Sequence, residues 1–187
     1  MKRVEIPLAL DGYTLRPFRT SDAPALQRLA DDTDVSRFLR NRFPHPYTLE
    51  DAREWIERTQ SESGSPPLVF AIAGANASLL GSIGLERQAD VYRHSAELGY
   101  WLGRRHWGRG VATAAVEAIC SYGFETLGLR RIYACVFAPN VASARVLEKA
   151  GFALEGRRRN AVRKDGVALD ELLYGLLPDE LAEGNAE

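Results

Sequence analysis

Cysteine, histidine and methionine are scarce in this sequence: its 187 residues include two Cys, three His and one Met. Cys120 and Cys135 both sit inside apolar runs. They read as buried free thiols of a reducing compartment, not as a disulfide framework. No histidine stands at zinc-ligand spacing from a cysteine, so no metal site is expected. Net charge is also small. The 24 basic and 25 acidic residues leave -1, whereas a general nucleic-acid binder is clearly basic. Long apolar runs are missing, and none approaches the length of a membrane span. The opening MKRVEIPLAL carries no signal-peptide core. The expectation is a cytoplasmic protein with no membrane association and no direct nucleic-acid binding.

What is present is ordinary globular composition, 45% hydrophobic and 26% charged, at a length that suits one domain over residues 1–187. YTLRPFR, residues 13–19, alternates as a strand. SDAPALQRLA follows with Ser21 or Asp22 as N-cap and Pro24 in the first turn. DVSRFL allows a further short helical segment, and FPHPY breaks the chain. Thr48 caps LEDAREWIERTQ, with Asp51 in a capping-box arrangement and Leu49, Ala52, Trp55 and Ile56 as an apolar stripe. SESGSPP reads as a polar loop. LVFAIAG, SLLGSIGLER and SAELGYWLG then form an antiparallel meander. A helix is predicted from about Arg109 to Leu127, with Gly128 placed to stop it. RRIYACVFA is apolar on both faces, as a central strand should be. NVASARVLEKAG is a second long helical pattern ending at Gly151. FALEGRRRNAVR and VALDELLYGLL make a hairpin turning at KDG. The fold class is α+β, with a mixed sheet whose parallel pair comes from the strand-helix-strand unit at 97–137.

The stretch RRHWGRGVATAA, residues 104–115, joins a strand to a helix through Gly108 and Gly110. Glycine permits positive φ and lets a ligand approach the backbone. The first helical turn offers unpaired N–H groups, and its dipole favours negative charge. Arg104, Arg105 and Arg109 add cations around the same spot. A phosphate or pyrophosphate is the natural guest; a tight turn with solvated arginines is the plain alternative. A dinucleotide fingerprint fits less well, because the turn follows a meander and position 113 is Thr.

RHWGRGVA, through Arg105, Gly108, Gly110 and Ala112, resembles the coenzyme-A loop of the GNAT-superfamily N-acetyltransferases. ELGYWL before it, NVASARVLEKAGF after it, the opening LRPFRTSDAPAL and the ending LDELLYGLLPDE resemble the RimJ/RimL-like branch, the ribosomal-protein N-terminal acetyltransferases and their relatives. The resemblance implies a single GNAT-like domain with a mixed, mostly antiparallel sheet of about seven strands flanked by helices. It implies acetyl-CoA as co-substrate, lying where the parallel strands ELGYWL and RIYACVF splay apart. The pyrophosphate would meet backbone N–H groups of Arg105 and of Trp107, Gly108, Arg109, Gly110, Val111 and Ala112. The pantetheine arm would pair with Tyr100, Trp101 and Leu102 like an added strand, and Asn140 would hydrogen-bond it. The reaction implied is direct attack of a primary amine on the thioester.

Such a reaction needs a neutral amine, a stabilised oxyanion and a protonated leaving thiolate. An α-amino group, with a pKa of about 8, needs less help from a base than a Lys or polyamine amine at about 10.4. Candidate bases are Glu97, which strict alternation places on one face with Gly99 and Trp101, and Glu86. A β-bulge would swap the faces, and both carboxylates also read as solvated or Arg-paired strand residues. Many relatives protonate the thiolate with a Tyr seven residues past the Asn; here that position is Leu147. Ser143, one turn from Asn140 on the same helix face, is the candidate donor to the sulfur, or else a second N-cap.

The densest basic run, GRRRNAVRKDG at 156–166, would touch the adenosine phosphate, an acidic partner such as a ribosomal protein, or solvent. Trp55, Phe38 and Tyr47 line either the acceptor entrance or the core, and Asp170 is placed to orient an amine. The first-choice acceptor is a protein N-terminal α-amine. The alternatives are a small-molecule amine (polyamine, amino acid or antibiotic) and a catalytically silent acyl-CoA-binding module. Dimerisation is common among members of the resembled branch, but no apolar stripe in the sequence establishes a homodimer.

Overall fold

The capping box at Thr48 forms as its residue types dictate. Thr48 N donates to Asp51 Oδ2 at 2.7 Å, and Asp51 N returns a bond to Thr48 Oγ1 at 3.1 Å. It starts helix α3, Leu49–Ser61. The computed structural model describes residues 4–61 and 68–183, so most of the SESGSPP loop lies outside the described residues. Before α3 come strands β1 (Ile6–Pro7) and β2 (Thr14–Arg16) and helices α1 (Ala23–Ala30) and α2 (Thr33–Ser36). After it come β3 (Val69–Ala73), β4 (Leu79–Arg87), β5 (Ser95–Leu102) and α4 (Val111–Glu125). The chain ends with β6 (Arg131–Phe137), α5 (Val141–Lys149), β7 (Ala153–Lys164), β8 (Val167–Leu176) and α6 (Pro178–Glu183).

Among the described residues the strands form one mixed sheet in the order β1-β2-β3-β4-β5-β6-β8-β7, eight strands where about seven were expected. The added strand is β1, held to β2 by Ile6↔Leu15 and Pro7↔Thr14. Two residues are too few to leave an alternation in the sequence. β5 and β6 are the parallel pair, in the register Ser95↔Arg131, Ala96↔Ile132 and Glu97↔Tyr133.

Two compact units share these elements. The first holds the residues up to Gly84 together with Tyr100–Ala115. Its core gathers Phe18, Leu26, Ala30, Tyr47, Ala52, Ile56, Ala71 and Leu79, with Trp55, Phe43 and Trp101 packed against it. A buried ion pair pins its start: Arg16 donates from Nη1 to Asp22 Oδ2 at 2.8 Å and from Nη2 to Asp22 Oδ1 at 2.9 Å. Asp22 precedes α1 but makes no side-chain cap. Its carboxylate serves Arg16 and the backbone N–H of Arg19 instead.

The second unit holds Leu85–Gly99 and the residues from Val116 onward. Ala96, Leu98, Ile132, Ala134, Val136, Ile119, Leu147 and Leu176 are buried there. α4 packs tightly on this unit's strands, since a Cβ at Gly123 would lie 2.9 Å from Ile132 Cδ1. The predicted hairpin turn is formed by Asp165 and Gly166, both at positive φ, between the paired Lys164 and Val167. That is the primed two-residue geometry that Asp-Gly favours.

Candidate active site

The junction is built by a short chain of backbone bonds inside the first unit. Gly103 N donates to Leu80 O at 2.9 Å as β5 ends. A 3-10 turn follows over Arg104–His106, closed by His106 N to Gly103 O at 2.9 Å and Trp107 N to Arg104 O at 3.2 Å. The Trp107 indole then reaches back, its Nε1 donating to Leu102 O at 2.8 Å. Gly108 and Gly110 adopt φ of +71° and +76°, which delays the helix from the expected Arg109 to Val111. Ala114 N to Gly110 O, 3.1 Å, is the first helical bond. The N–H groups of Val111, Ala112 and Thr113 therefore precede the i→i−4 ladder. Val111 anchors the turn with its side chain buried, while Gly108, Arg109 and Gly110 are exposed. A Cβ added at either glycine would meet nothing within 4 Å.

The side chains around this turn are cationic but not equally available. Arg104 Nη1 holds Asp34 Oδ2 at 2.8 Å. Arg105 Nε donates to His106 Nε2 at 3.0 Å, so that nitrogen is the acceptor of an unprotonated ring. Partial burial, then Arg105 and Arg109, hold the imidazole below its ordinary pKa. His106 was legible as a loop residue, but its bond to Arg105 was not; a histidine between arginines in a glycine loop is the signal that marks it. The arrangement suits a polyanion: glycines at positive φ, open space beyond them, unladdered N–H groups and cationic side chains.

The second unit holds the other candidates. Glu97 is half-buried on β5, opposite Tyr133 in the parallel register and between the buried Ala96 and Leu98. It thus lies on the other face of the strand from those two, as alternation requires. Glu86 is exposed near the end of β4. Asn140 is the N-cap of α5, its Oδ1 accepting from Ser143 N at 3.2 Å. Leu147 is fully buried and is a core residue.

One expectation needs correction, and two candidate groups have partners that the sequence did not show. Cys120 is buried, and burial pushes its thiol well up, but Cys135 is only half-buried and accepts from Arg158 Nη2 at 2.9 Å. Asp170 accepts from Arg157 Nε at 2.6 Å and from Asn160 N at 2.9 Å. The basic run is partly neutralised by carboxylates of β8, since Arg158 also pairs with the buried Glu171 at 2.5 Å. Among the aromatics, Tyr47 is buried and its phenol is pushed up to about 12, mainly by that burial. Trp55 packs on the first unit's core, and Phe38 lies under the Arg37 guanidinium at 4.7 Å. Among the described residues no His, Cys, Asp or Glu group could hold a metal ion, and no helix is long and apolar enough to cross a membrane.

The profile of the Acetyltransferase (GNAT) domain matches residues 13–153. The chain belongs to the GNAT acetyltransferase family. It is 40% identical over 173 residues to the uncharacterized N-acetyltransferase YoaA of Bacillus subtilis (strain 168), covering 91% of this chain and 96% of YoaA. It is 32% identical over 178 residues to the uncharacterized N-acetyltransferase p20 of Bacillus licheniformis, covering 94% and 98%. The solved structure of RimL, a ribosomal L7/L12 α-N-protein acetyltransferase in complex with coenzyme A, superposes with a TM-score of 0.80 at 20% identity, covering 95% of this chain and 99% of RimL. That likeness carries the fold: a mixed sheet with its β5–β6 parallel pair, flanked by helices. As a GNAT N-acetyltransferase, the chain is an enzyme and not a silent binding module.

Proposed function

We propose that this acetyltransferase transfers acetyl from acetyl-CoA to a protein N-terminal α-amine, in the manner of the RimJ/RimL branch. The observation that carries the coenzyme half is the paired positive φ of Gly108 and Gly110 at the start of α4, with empty space where a side chain would stand. Bound acetyl-CoA supplies a thioester open to direct attack by the amine. In the first unit, Arg105, Arg109 and the N–H groups of Gly108 through Ala112 hold the pyrophosphate. Trp107 N–H is already given to Arg104 O, so its contribution is structural, through the indole that fixes Leu102. Tyr100, Trp101 and Leu102 offer their backbone to the pantetheine arm.

In the second unit, Glu97 is the first candidate for accepting the amine proton, with Glu86 behind it because of its exposure. Ser143 is the candidate donor to the leaving sulfur. Asn140 holds α5 in place through its Oδ1 and has its amide N–H₂ to offer the coenzyme. An α-amine, already partly neutral near pH 7, suits a site whose carboxylates are half-buried or exposed.

The test is thiol release from acetyl-CoA over a panel of N-terminal peptides, polyamines, amino acids and aminoglycosides. Turnover confined to peptides with a free α-amine is the expected result. Turnover confined to small amines would move the acceptor to the second class, and the absence of CoA binding would remove the site.

A further inference from the structure

His106 is the titratable group in this turn that the acyl-transfer reading leaves unused. Its geometry is unusual for a site meant for anions. Arg105 Nε spends a hydrogen bond on His106 Nε2, 3.0 Å away, instead of pointing it at the mouth of the loop. That bond exists only while Nε2 carries no proton. Partial burial of the imidazole favours this state in the free protein, and the neighbouring cations add to it. Arg105 and Arg109 act on it directly. Arg104, on the same turn, is held by Asp34, and the open depression beside the turn adds Arg28, Asp31 and Asp32 to its rim.

A diphosphate brought to Gly108 and Gly110 reverses the local field. Two negative charges next to Arg105 and Arg109 outweigh the arginines at the imidazole and favour its charged form. Once Nε2 is protonated it repels the Arg105 N–H it had accepted. Arg105 Nε is then released for a phosphate oxygen, and the imidazolium becomes one more cation of the site.

We propose that His106 is a coenzyme-binding residue that becomes charged on binding: its imidazole takes one proton from solvent as the diphosphate arrives and hands Arg105 to the anion. This rests on the acetyl-CoA reading above and adds a specific linkage to it. Coenzyme affinity rises as pH falls through the imidazole's range, by at most about tenfold per pH unit for one linked proton. Below the free protein's imidazole pKa the dependence flattens, because the ring is charged before binding.

The experiment is isothermal titration of the protein with CoA and with dephospho-CoA, in two buffers of different ionisation enthalpy near pH 6.5. Dephospho-CoA matters because a phosphate monoester also titrates near pH 6, and its binding to arginines would release protons. The wild type is expected to take up a fraction of one proton with dephospho-CoA, and less with CoA, whose monoester releases protons. His106→Asn keeps a carbonyl acceptor for Arg105 Nε but cannot titrate, so its uptake should vanish and its pH dependence flatten. The chain's three histidines also allow direct titration of the His106 imidazole by NMR, which should show an upward pKa shift on binding. Equal proton uptake by wild type and His106→Asn, or binding without uptake, would overturn the inference and leave the coenzyme site standing. No binding by the wild type would remove both.

Discussion

Asn140 Oδ1 accepts the backbone N–H of Ser143 at 3.2 Å, so the residue expected to hold the pantetheine arm also caps the helix that carries the candidate proton donor. One side chain therefore combines two duties that a single alanine substitution would confuse. Its oxygen serves the helix, and its nitrogen is the part assigned to the coenzyme.

Asn140→Asp separates the two. Aspartate caps a helix as well as asparagine does but has no N–H to donate. Thermal stability should stay near wild type while turnover with acetyl-CoA falls. Asn140→Ala should lose turnover and also about 1 kcal/mol of stability, the usual value of an N-cap. Combining Asn140→Ala with Ser143→Ala should lower turnover further, and wild-type kinetics in that double variant would contradict both assignments. Ser143→Ala alone should be milder, because a thiol with a pKa of about 8.5 leaves with modest help.

The glycine turn was the most legible part of the chain, for a physical reason. Gly108 and Gly110 take a backbone conformation that few other residues adopt, so the sequence had little freedom there. The capping box at Thr48 and the Asp165–Gly166 turn were legible for the same reason: each requires particular residue types at fixed spacing. What stayed hidden depends on which way individual side chains turn and which partner each one meets. The Arg105–His106 bond, the Arg104–Asp34 pair and the diversion of Asp170 to Arg157 and Asn160 leave no periodicity. The two-residue β1 was too short to alternate. Cys135 sat in an apolar run yet is half-buried, because Arg131, Tyr133 and Cys135 fall on the less buried face of β6.

Gly108 offers a substitution test of the anion site. No neighbour lies within 4 Å of an added Cβ, so the cost to folding comes from φ alone. Gly108→Val should weaken CoA binding by at least tenfold and lower stability by about 1–2 kcal/mol, the scale for an L side chain held in the left-handed region. Gly108→Asn tolerates that region better and should recover most of the stability. It should still bind CoA less well than wild type, since its side chain occupies the approach. Calorimetry showing unchanged CoA affinity in both variants would place the pyrophosphate elsewhere.

Acid should weaken the fold through Glu155. Arg131 Nη1 donates to Glu155 Oε1 at 2.6 Å, and this hydrogen bond is the main reason the carboxyl lies below its ordinary value of 4.5. A carboxyl depressed in the folded state stabilises the fold fully above its unfolded value. That contribution is lost as pH falls below 4.5 and through the lower folded value. Asp51, held by Thr48, and Asp170, held by Asn160 and Arg157, are depressed in the same direction. Denaturant midpoints measured from neutral pH downward should decline through this window. Glu155→Gln should start lower and decline less, so the two curves should converge in acid; parallel curves would remove Glu155 from the linkage.

Gly81 ties the stability of the first unit to the strand assigned to the pantetheine arm. A Cβ at Gly81 would fall 2.1 Å from the Trp101 carbonyl oxygen and 2.9 Å from Leu102 Cα. Both are backbone atoms, so no side chain can turn aside to make room. Gly81→Ala must push β4 away from Tyr100–Leu102, at a cost of at least about 2 kcal/mol from overpacking. The displaced backbone is the one proposed to pair with pantetheine, and Leu102 O also anchors the Trp107 indole. CoA affinity should therefore fall together with Tm in Gly81→Ala. The comparison variant is Gly166→Ala, at the hairpin turn, where nothing lies within 4 Å of the added Cβ and φ is +80°. It should lose stability through φ while binding CoA as the wild type does. Equal loss of affinity in both variants would mean that CoA binding reports only global stability and not the position of the Trp101 backbone.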